Sequence, residues 1–354
     1  MAEIKVAFWN VQNLFDTTVS PIAADLEFTP KQGWTTEAFN IKVPNLAKII
    51  KQMHGGAGAD LLGLCEVENK GVVERLMTEV GRADYRVAHV EAQDIRGIDC
   101  SLIYSANMFN DPPVDDIQGH LVHFRFPTRD IFQVRLTLKA NGAELNVFVN
   151  HWPSRSEGQF QSEPHRLTVG ERCGQLVDMV LKLDRKAYAV VPDTKEGLAQ
   201  LNDRWNRNVL LMGDFNDDPF NRSITDYLLA SKDLDKVEEE LKAVKNHEIP
   251  SIKTYLERKP MLFNLAWPFL GTPDTGTIFF SGESANTMNV FDQFIVSRGL
   301  YFGKSGLKAR PGSVQIFRPP DMATGVKMRP KEFDKKTKKG FSDHFPIEMI
   351  IDTV

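Results

Sequence analysis

The feature that most constrains this chain is a series of short β-type runs that are apolar on both alternations. "IKVAFWNV", "DLLGLCEV", "DCSLIYS", "NVLLMGDF" and "PIEMIIDTV" carry few polar residues where a half-exposed strand would place them. A strand with one wet face alternates, whereas a strand that is apolar throughout is covered on both faces. "FQVRLTL", "LNVFVNHW", "TIFFSG" and "NVFDQFIVS" complete the set. Helix-period segments are fewer. Val43, Leu46, Ile49, Ile50 and Met53 share a helical face, and residues 72–80 and 165–183 read likewise. Ser223 and Asp226 stand in capping-box spacing, which predicts a helix start at 223. So few helices exclude strict βαβ alternation. The chain is therefore expected to be α/β, with two mixed, mainly antiparallel sheets packed face to face and helices outside. No composition break marks a linker, so a single domain over 1–354 is expected.

Hydrophobic residues make up 42% of the chain, enough for a sizeable core. A net charge of −4 gives no global pull toward nucleic acid or membrane. Cys65, Cys100 and Cys173 form neither a metal pattern nor a disulfide framework, so buried free thiols are expected. No apolar stretch is long enough to span a bilayer. "MAEIKVAFWN" enters a strand pattern directly, which reads as cytoplasmic, although a secreted protein trimmed of its leader would read the same way. A monomer without an obligate protein partner is expected. Residues 16–40 and 303–340 read as long irregular segments, and such loops are more often functional or mobile than neutral.

Strand after strand ends in a burst of metal- or phosphate-competent groups. These are Asn10 and Asn13; Glu66, Glu68 and Asn69; Asn150, His151, Ser154 and Arg155; Asp214, Asn216 and Asp217; Asp292 and Gln293. Ser342, Asp343 and His344 form a sixth, just before the last strand. Any one burst is explained as turn chemistry. Six at strand boundaries point to a cleft where the strand ends converge. Carboxylates with Asn carbonyls and no thiolate cluster suit a hard cation, Mg²⁺ or Mn²⁺, with Ca²⁺ a further candidate. The two histidines suit proton transfer or charge stabilisation, and Arg155 and Arg166 suit forked contacts to phosphate, with Asn13 beside them. Together they describe metal-assisted hydrolysis of a phosphate ester. No GxSxG elbow and no GxxxxGK[ST] loop occurs, which argues against a serine hydrolase and a P-loop enzyme. A catalytically dead scaffold would show substitutions at these positions, and all six are filled with competent residues.

"FWNVQNL", "LGLCEVEN", "VNHWPSR", "LLMGDFND", "FDQFIVS" and "GFSDHFPI", in this order and across nearly the whole chain, resemble the endonuclease/exonuclease/phosphatase superfamily. That superfamily includes pancreatic-type deoxyribonucleases, apurinic/apyrimidinic endonucleases, inositol-polyphosphate phosphatases and neutral sphingomyelinases. The "NLFD" and "EVEN" wording is similar to one bacterial branch of it. The resemblance implies a four-layered α/β/β/α sandwich with its active site at one edge of the two sheets. It implies Glu66 as principal metal ligand, with Asn10 and Asp343 close to the ion. Asp214 is implied to orient or deprotonate water, and Asn216 to hold that water or the phosphate. Asp292 is implied to orient His344 against the scissile phosphate, and His151 to donate to phosphate or leaving group. Asp214 and Asn216 are also candidates for a second ion. Cys65 stands where the superfamily commonly has Gln, a change expected to affect packing more than metal binding. Asp99 is expected either to pair with His151 or to serve structure.

Phosphodiester hydrolysis, by a nuclease acting on nucleic acid, is the leading expectation. Eleven basic residues against three acidic ones in 303–340 would attract a polyanion beside the "SDH" motif. Phe317, Phe333 and Trp152 are candidate stacking groups. The alternative is a phosphomonoesterase or lipid phosphodiesterase, the latter favoured if apolar residues 261–271 form an exposed hairpin.

Overall fold

In chain order the strands of the computed structural model are β1 (Glu3–Leu14), β2 (Leu61–Val67), β3 (Tyr85–His89), β4 (Asp99–Ser105), β5 (Ile117–His120) and β6 (Ile131–Thr137). They continue as β7 (Glu144–His151), β8 (Asn208–Asp214), β9 (Ala230–Ser231), β10 (Leu262–Asn264), β11 (Ile278–Phe279) and β12 (Met288–Asn289). The last are β13 (Asp292–Ser297), β14 (Leu307–Ala309), β15 (Gln315–Ile316), β16 (Ala323–Thr324), β17 (Arg329–Pro330) and β18 (Ile347–Thr353). The main helices are α1 (Thr36–Gln52), α2 (Lys70–Val80), α3 (Gln159–Leu181), α4 (Arg185–Ala189) and α5 (Lys195–Trp205). The structure describes residues 2–18, 26–125, 128–238, 251–271, 275–279, 287–326 and 328–354.

One sheet runs β14-β18-β1-β2-β4-β3, with β15 also on β18; the other runs β5-β6-β7-β8-β13-β10-β9. Among the described residues only β1/β2, β7/β8 and β9/β10 pair in parallel, so both sheets are mixed and mainly antiparallel. Val6, Phe8 and Leu102 of the first sheet meet Val147, Met212 and Phe294 of the second in one core. Burying each such large side chain contributes about 1.5–3 kcal/mol. At Gly63 the sheets come so close that a Cβ would lie 2.5 Å from Met212 Sδ. The alternate residues Ala7, Trp9, Leu62 and Leu64 face outward and are covered by α1 and α2. Phe148, Leu211 and Ile295 are covered by α3 in the same way. This is the four-layered α/β/β/α sandwich, and double coverage is why the strands read as continuous apolar runs. All three cysteines are buried and free.

Several local expectations change. Ser223 begins only a short π-helical turn, because its hydroxyl donates to Asp217 instead of capping. α3 starts at Gln159 and runs through Pro164. α5 was not anticipated, although Leu198, Leu201 and Trp205 stand at helical spacing after the cap Thr194. Residues 261–271 form no exposed hairpin: Leu262, Leu265, Ala266 and Phe269 are buried. Of "TIFFSG", Ile278 and Phe279 are a strand, while its last three residues lie outside the described residues, as do 19–25 of the first irregular segment and Lys327 of the second. Segment 303–340 is not one loop. It supplies β14 and β15 to the first sheet and a separate β16–β17 ribbon.

Candidate functional site

Strand register assembles the site. In the second sheet, His151 on β7 pairs with Asp214 on β8, and Asp214 pairs with Asp292 on β13. Three chemical groups therefore sit side by side at one sheet end. A Cβ at Gly213 would lie 2.4 Å from the Asn150 carbonyl oxygen, so only glycine allows β8 this approach just before Asp214. In the first sheet Asn10 on β1 pairs with Cys65, which places Asn10 beside Glu66 at the end of β2. Ser342 donates to the Asn10 carbonyl (2.6 Å) and Trp9 Nε1 to the His344 carbonyl (2.9 Å), tying Asp343 and His344 to the same end. Glu66, His151, Asp214, Asn216, Asp343 and His344 line one cleft of about 470 Å³.

The backbone is strained where the site is built. Gln12, Asn13, Glu66 and Asn216 all have φ between +49° and +61°, a left-handed conformation that non-glycine residues hold only when surroundings impose it. At Gln12 and Asn13 this breaks the β1/β2 register and aims the Asn13 N–H at Glu66 Oε2, 2.8 Å away. Lys42, buried on α1, donates from Nζ to the carbonyls of Gln12 and Asn13, and stands 5.1 Å from the Phe333 ring centre. Burial lowers its pKa to about 7, against the pull of Glu66 and Asp343. No local sequence signal marks Lys42; it lies on the helical face that Val43 and Leu46 made read as core.

The two histidines are driven apart in charge. His344 Nδ1 is 2.7 Å from Asp292 Oδ2, and its Nε2 is 3.6 Å from Asp214 Oδ2. Burial opposes the imidazolium, but Asp292 and Asp214 outweigh it and hold His344 protonated well above the ordinary range. His151 is pushed the other way, by burial first and then by Arg129, Arg96 and His344. Its Nε2 is 3.4 Å from Arg129 Nη2 and 3.5 Å from Glu66 Oε1. Such opposed shifts in one cleft separate a proton donor from an acceptor. Asp214 is raised to about 7 by burial and by Asp292, with His344 and the donors Asn216 N and Asn10 Nδ2 opposing. Asp343 is raised by burial and by Glu66.

Half-buried carboxylates that repel one another, with oxygens open to a cleft, are the donor chemistry a hard divalent cation fits. Glu66 and Asp343 are the groups that would hold it. Asn10 stands among them but presents its nitrogen: Nδ2 is 3.1 Å from both Glu66 Oε1 and Asp214 Oδ2, while its oxygen accepts from Gln12 N–H. As oriented, it spaces the two carboxylates rather than offering a ligand oxygen. The Asn13 side chain does not line the cleft; its N–H holds Glu66, and its Oδ1 accepts from Arg96 at 3.2 Å. Asn216 Nδ2 donates to the Trp152 carbonyl, fixing the turn.

Arg155 and Arg166 are not phosphate contacts here. Both are buried and clamp the Asp217 carboxylate from two sides at 2.9 Å, because a desolvated guanidinium takes the nearest desolvated carboxylate. Asp99 does not meet His151; it lies 3.3 Å from His89 Nε2. Trp152 and Phe333 are buried and Phe317 packs partly buried against the core, so none offers an open stacking face. Among the basic residues, Arg310 pairs with Glu3 and Asp352, Lys338 with Glu37, and Lys335 donates to the Glu27 carbonyl. Arg329 and Lys331 do line the cleft, with Thr324, Pro330, Glu332, Ile278 and Phe279 forming its far wall. Arg96 and Arg129 were missed, each being a lone Arg in a loop.

A family model described as the Endonuclease/Exonuclease/phosphatase family matches residues 5–194. No curated protein sequence matches the chain. Among solved structures, the chain is similar to a mannosyl-6-phosphatase of Bacteroides thetaiotaomicron, at 12% identity and TM-score 0.54, covering 99% of each chain. It is similar to the human Nocturnin catalytic domain with bound sulfate, at 13% identity and TM-score 0.52, covering 99% of this chain and 95% of that one. It is also similar to TDP2 of D. rerio complexed with a single-strand DNA product, at 11% identity and TM-score 0.50, covering all of both chains. At these identities the likeness is one of fold.

Proposed function

Because the chain belongs to the endonuclease/exonuclease/phosphatase family, whose members are phosphoesterases, we propose that it is a divalent-metal-dependent phosphodiesterase acting on nucleic acid. The observation that carries this reading is the register-built row His151–Asp214–Asp292, closed by His344 and faced by Glu66 and Asp343. Glu66 and Asp343 would hold the cation, which when bound would supply neutralisation of phosphoryl charge. Asp214 accepts a proton from the attacking water; its acidity near neutrality suits a general base. His344, kept cationic and oriented by Asp292, donates to a phosphoryl oxygen as negative charge grows there. Neutral His151, backed by Arg129, contacts the phosphate or the leaving oxygen. Asn10 and Asn216 keep the carboxylates and the turn in register. A diester rather than a monoester is favoured because the cleft continues past these groups to a cationic wall, where a second esterified arm would lie.

The test is hydrolysis of bis-p-nitrophenyl phosphate and plasmid DNA by purified protein with Mg²⁺ or Mn²⁺. Activity that vanishes with EDTA, returns with metal and is lost in Asp214→Asn supports the reading. Activity on p-nitrophenyl phosphate alone moves it to the phosphomonoesterase reading, which the dense cationic lining of Arg96, Arg329 and Lys331 also suits. The lipid reading loses its structural support with the burial of Leu262, Leu265, Ala266 and Phe269. No helix among the described residues is long and apolar enough to cross a membrane.

A further inference from the structure

A second group of donor atoms gathers outside the residues that line the cleft, where the edge strand β3 meets β4. His89 ends β3 and pairs with Ser101 on β4; Asp99 opens β4, and Glu91 follows His89 by two residues. His89 Nε2 stands 3.0 Å from Glu91 Oε1 and 3.3 Å from Asp99 Oδ2. The three donor atoms all lie within 4.8 Å of one another. The other polar atom of each buried group is already taken. His89 Nδ1 is 2.7 Å from Ser101 Oγ, and Asp99 Oδ1 accepts from Ala92 N–H at 3.0 Å. Nε2 and Oδ2 are thereby turned to one point, which Glu91 Oε1 shares. A ring nitrogen carries at most one hydrogen, so Nε2 cannot make straight hydrogen bonds to both carboxylates. Negative charge is in excess nearby: Asp130 Oδ1 is buried with no hydrogen bond among the described residues, and burial, Asp99 and Asp94 lift its carboxyl to about 6.

We propose that His89, Glu91 and Asp99 bind a divalent transition-metal ion of the zinc class, separate from the cation that Glu66 and Asp343 would hold. The proposal does not depend on the phosphodiesterase reading. A tetrahedral zinc site with bonds of about 2.0–2.1 Å sets its donor atoms about 3.3 Å apart, close to the 3.0 and 3.3 Å found around His89 Nε2. The imidazole sets this group apart from the all-oxygen sites of Mg²⁺ and Ca²⁺. One histidine and two carboxylates leave the fourth position to water. Ser101 Oγ accepts the Nδ1 hydrogen, the outer contact that fixes the tautomer of a ligating imidazole. Glu91, 64% exposed, gives the ion a way in. Such an ion joins the two ends of loop 90–98. Within that loop Arg96 lines the cleft and donates to Asn13 Oδ1, and Asp94 stands 3.6 Å from Arg129, which backs His151. The site is a clasp at the base of a loop that serves the cleft. Without metal the same groups form an imidazolium shared between two carboxylates, and the test separates these two states.

The experiment titrates Zn²⁺ into the full chain carrying Glu66→Gln, which removes the principal ligand of the cleft. The dissociation constant is read by competition with a chromophoric chelator. One zinc per chain should bind. Adding Glu91→Ala or His89→Gln should weaken it at least about tenfold, since even the loss of an outer partner of a metal ligand costs about 10–100-fold. Glu91 is exposed, so its truncation reports on the ion with the fold intact. Glu74→Ala on α2, another exposed carboxylate, is the control and should leave the constant unchanged. Hydrogen exchange at amides 92–98 should slow with zinc in Glu66→Gln, and should not respond once Glu91→Ala is added. A dissociation constant that neither Glu91→Ala nor His89→Gln moves overturns the site, as does a Glu66→Gln chain that takes up no zinc at micromolar metal. Loss of Mg²⁺-supported hydrolysis bears on the phosphodiesterase reading alone.

Discussion

The turn "GDFNDDP" and the ribbon wall across the cleft are built on opposite plans. The turn is buried throughout: Asp214, Asn216, Asp217 and Asp218 are each at most 6% exposed and each is held by named partners. The wall has its backbone fixed by two-residue strands, while the side chains of Arg329 and Lys331 project into the open. The first plan fixes its side chains through buried partners; the second presents cationic side chains to the cleft. The buried carboxylates thus belong to the large sheets, and the exposed cations of the cleft to a ribbon outside them.

Within the turn the comparison sharpens further. Asp214→Asn should lower metal-supported diester hydrolysis by about 10²–10⁴-fold, with melting temperature held or raised, read from steady-state rates and thermal unfolding. Asp217→Ala, three residues on, should do the reverse of that pattern. It leaves Arg155 and Arg166 buried without their shared carboxylate, and breaking such a buried pair costs about 3–5 kcal/mol, visible in denaturant unfolding. Equal stability of the two variants would erase the distinction between the halves of the turn.

Asp292→Asn tests the next layer and should cost about 10–100-fold in rate, as loss of an orienting partner does. It also changes pH behaviour. His344 binds its proton more tightly in the folded than in the unfolded chain. Its contribution to stability is therefore fully present below about pH 6.5 and is lost as pH rises through the folded value. In EDTA the wild type should lose more melting temperature than Asp292→Asn between about pH 6 and about pH 9; parallel curves would remove Asp292 as the cause. At the small end, Lys338→Ala breaks an exposed contact to Glu37 and should cost about 0.2–1 kcal/mol with no change in rate.

The rim was legible in the sequence because each chemical group stands at the boundary of an apolar strand, and those boundaries meet at one cleft. What misled was treating neighbours in a burst as partners. Glu66 faces the cleft, yet Asn69 caps α2 through Val72 N–H and Glu68 accepts from Asp16 N–H. Asp214 and Asp217 divide in the same manner. Residue type signals competence for chemistry, but only the local dihedral decides which way a side chain leaves the strand, and four left-handed residues at the rim reset that direction. Arg155 and Arg166 were misread for a related reason: a cation's partner is set in three dimensions. The wall was nearly illegible, since two-residue strands leave no periodicity to detect.

The β16–β17 ribbon belongs to neither large sheet and shares no strand with the sandwich core. Substitutions at its exposed side chains, such as Arg329, therefore leave the pairing of both large sheets untouched. The charge of the cleft's outer wall can thus change while His151, Asp214 and Asp292 keep the register that the large sheet gives them.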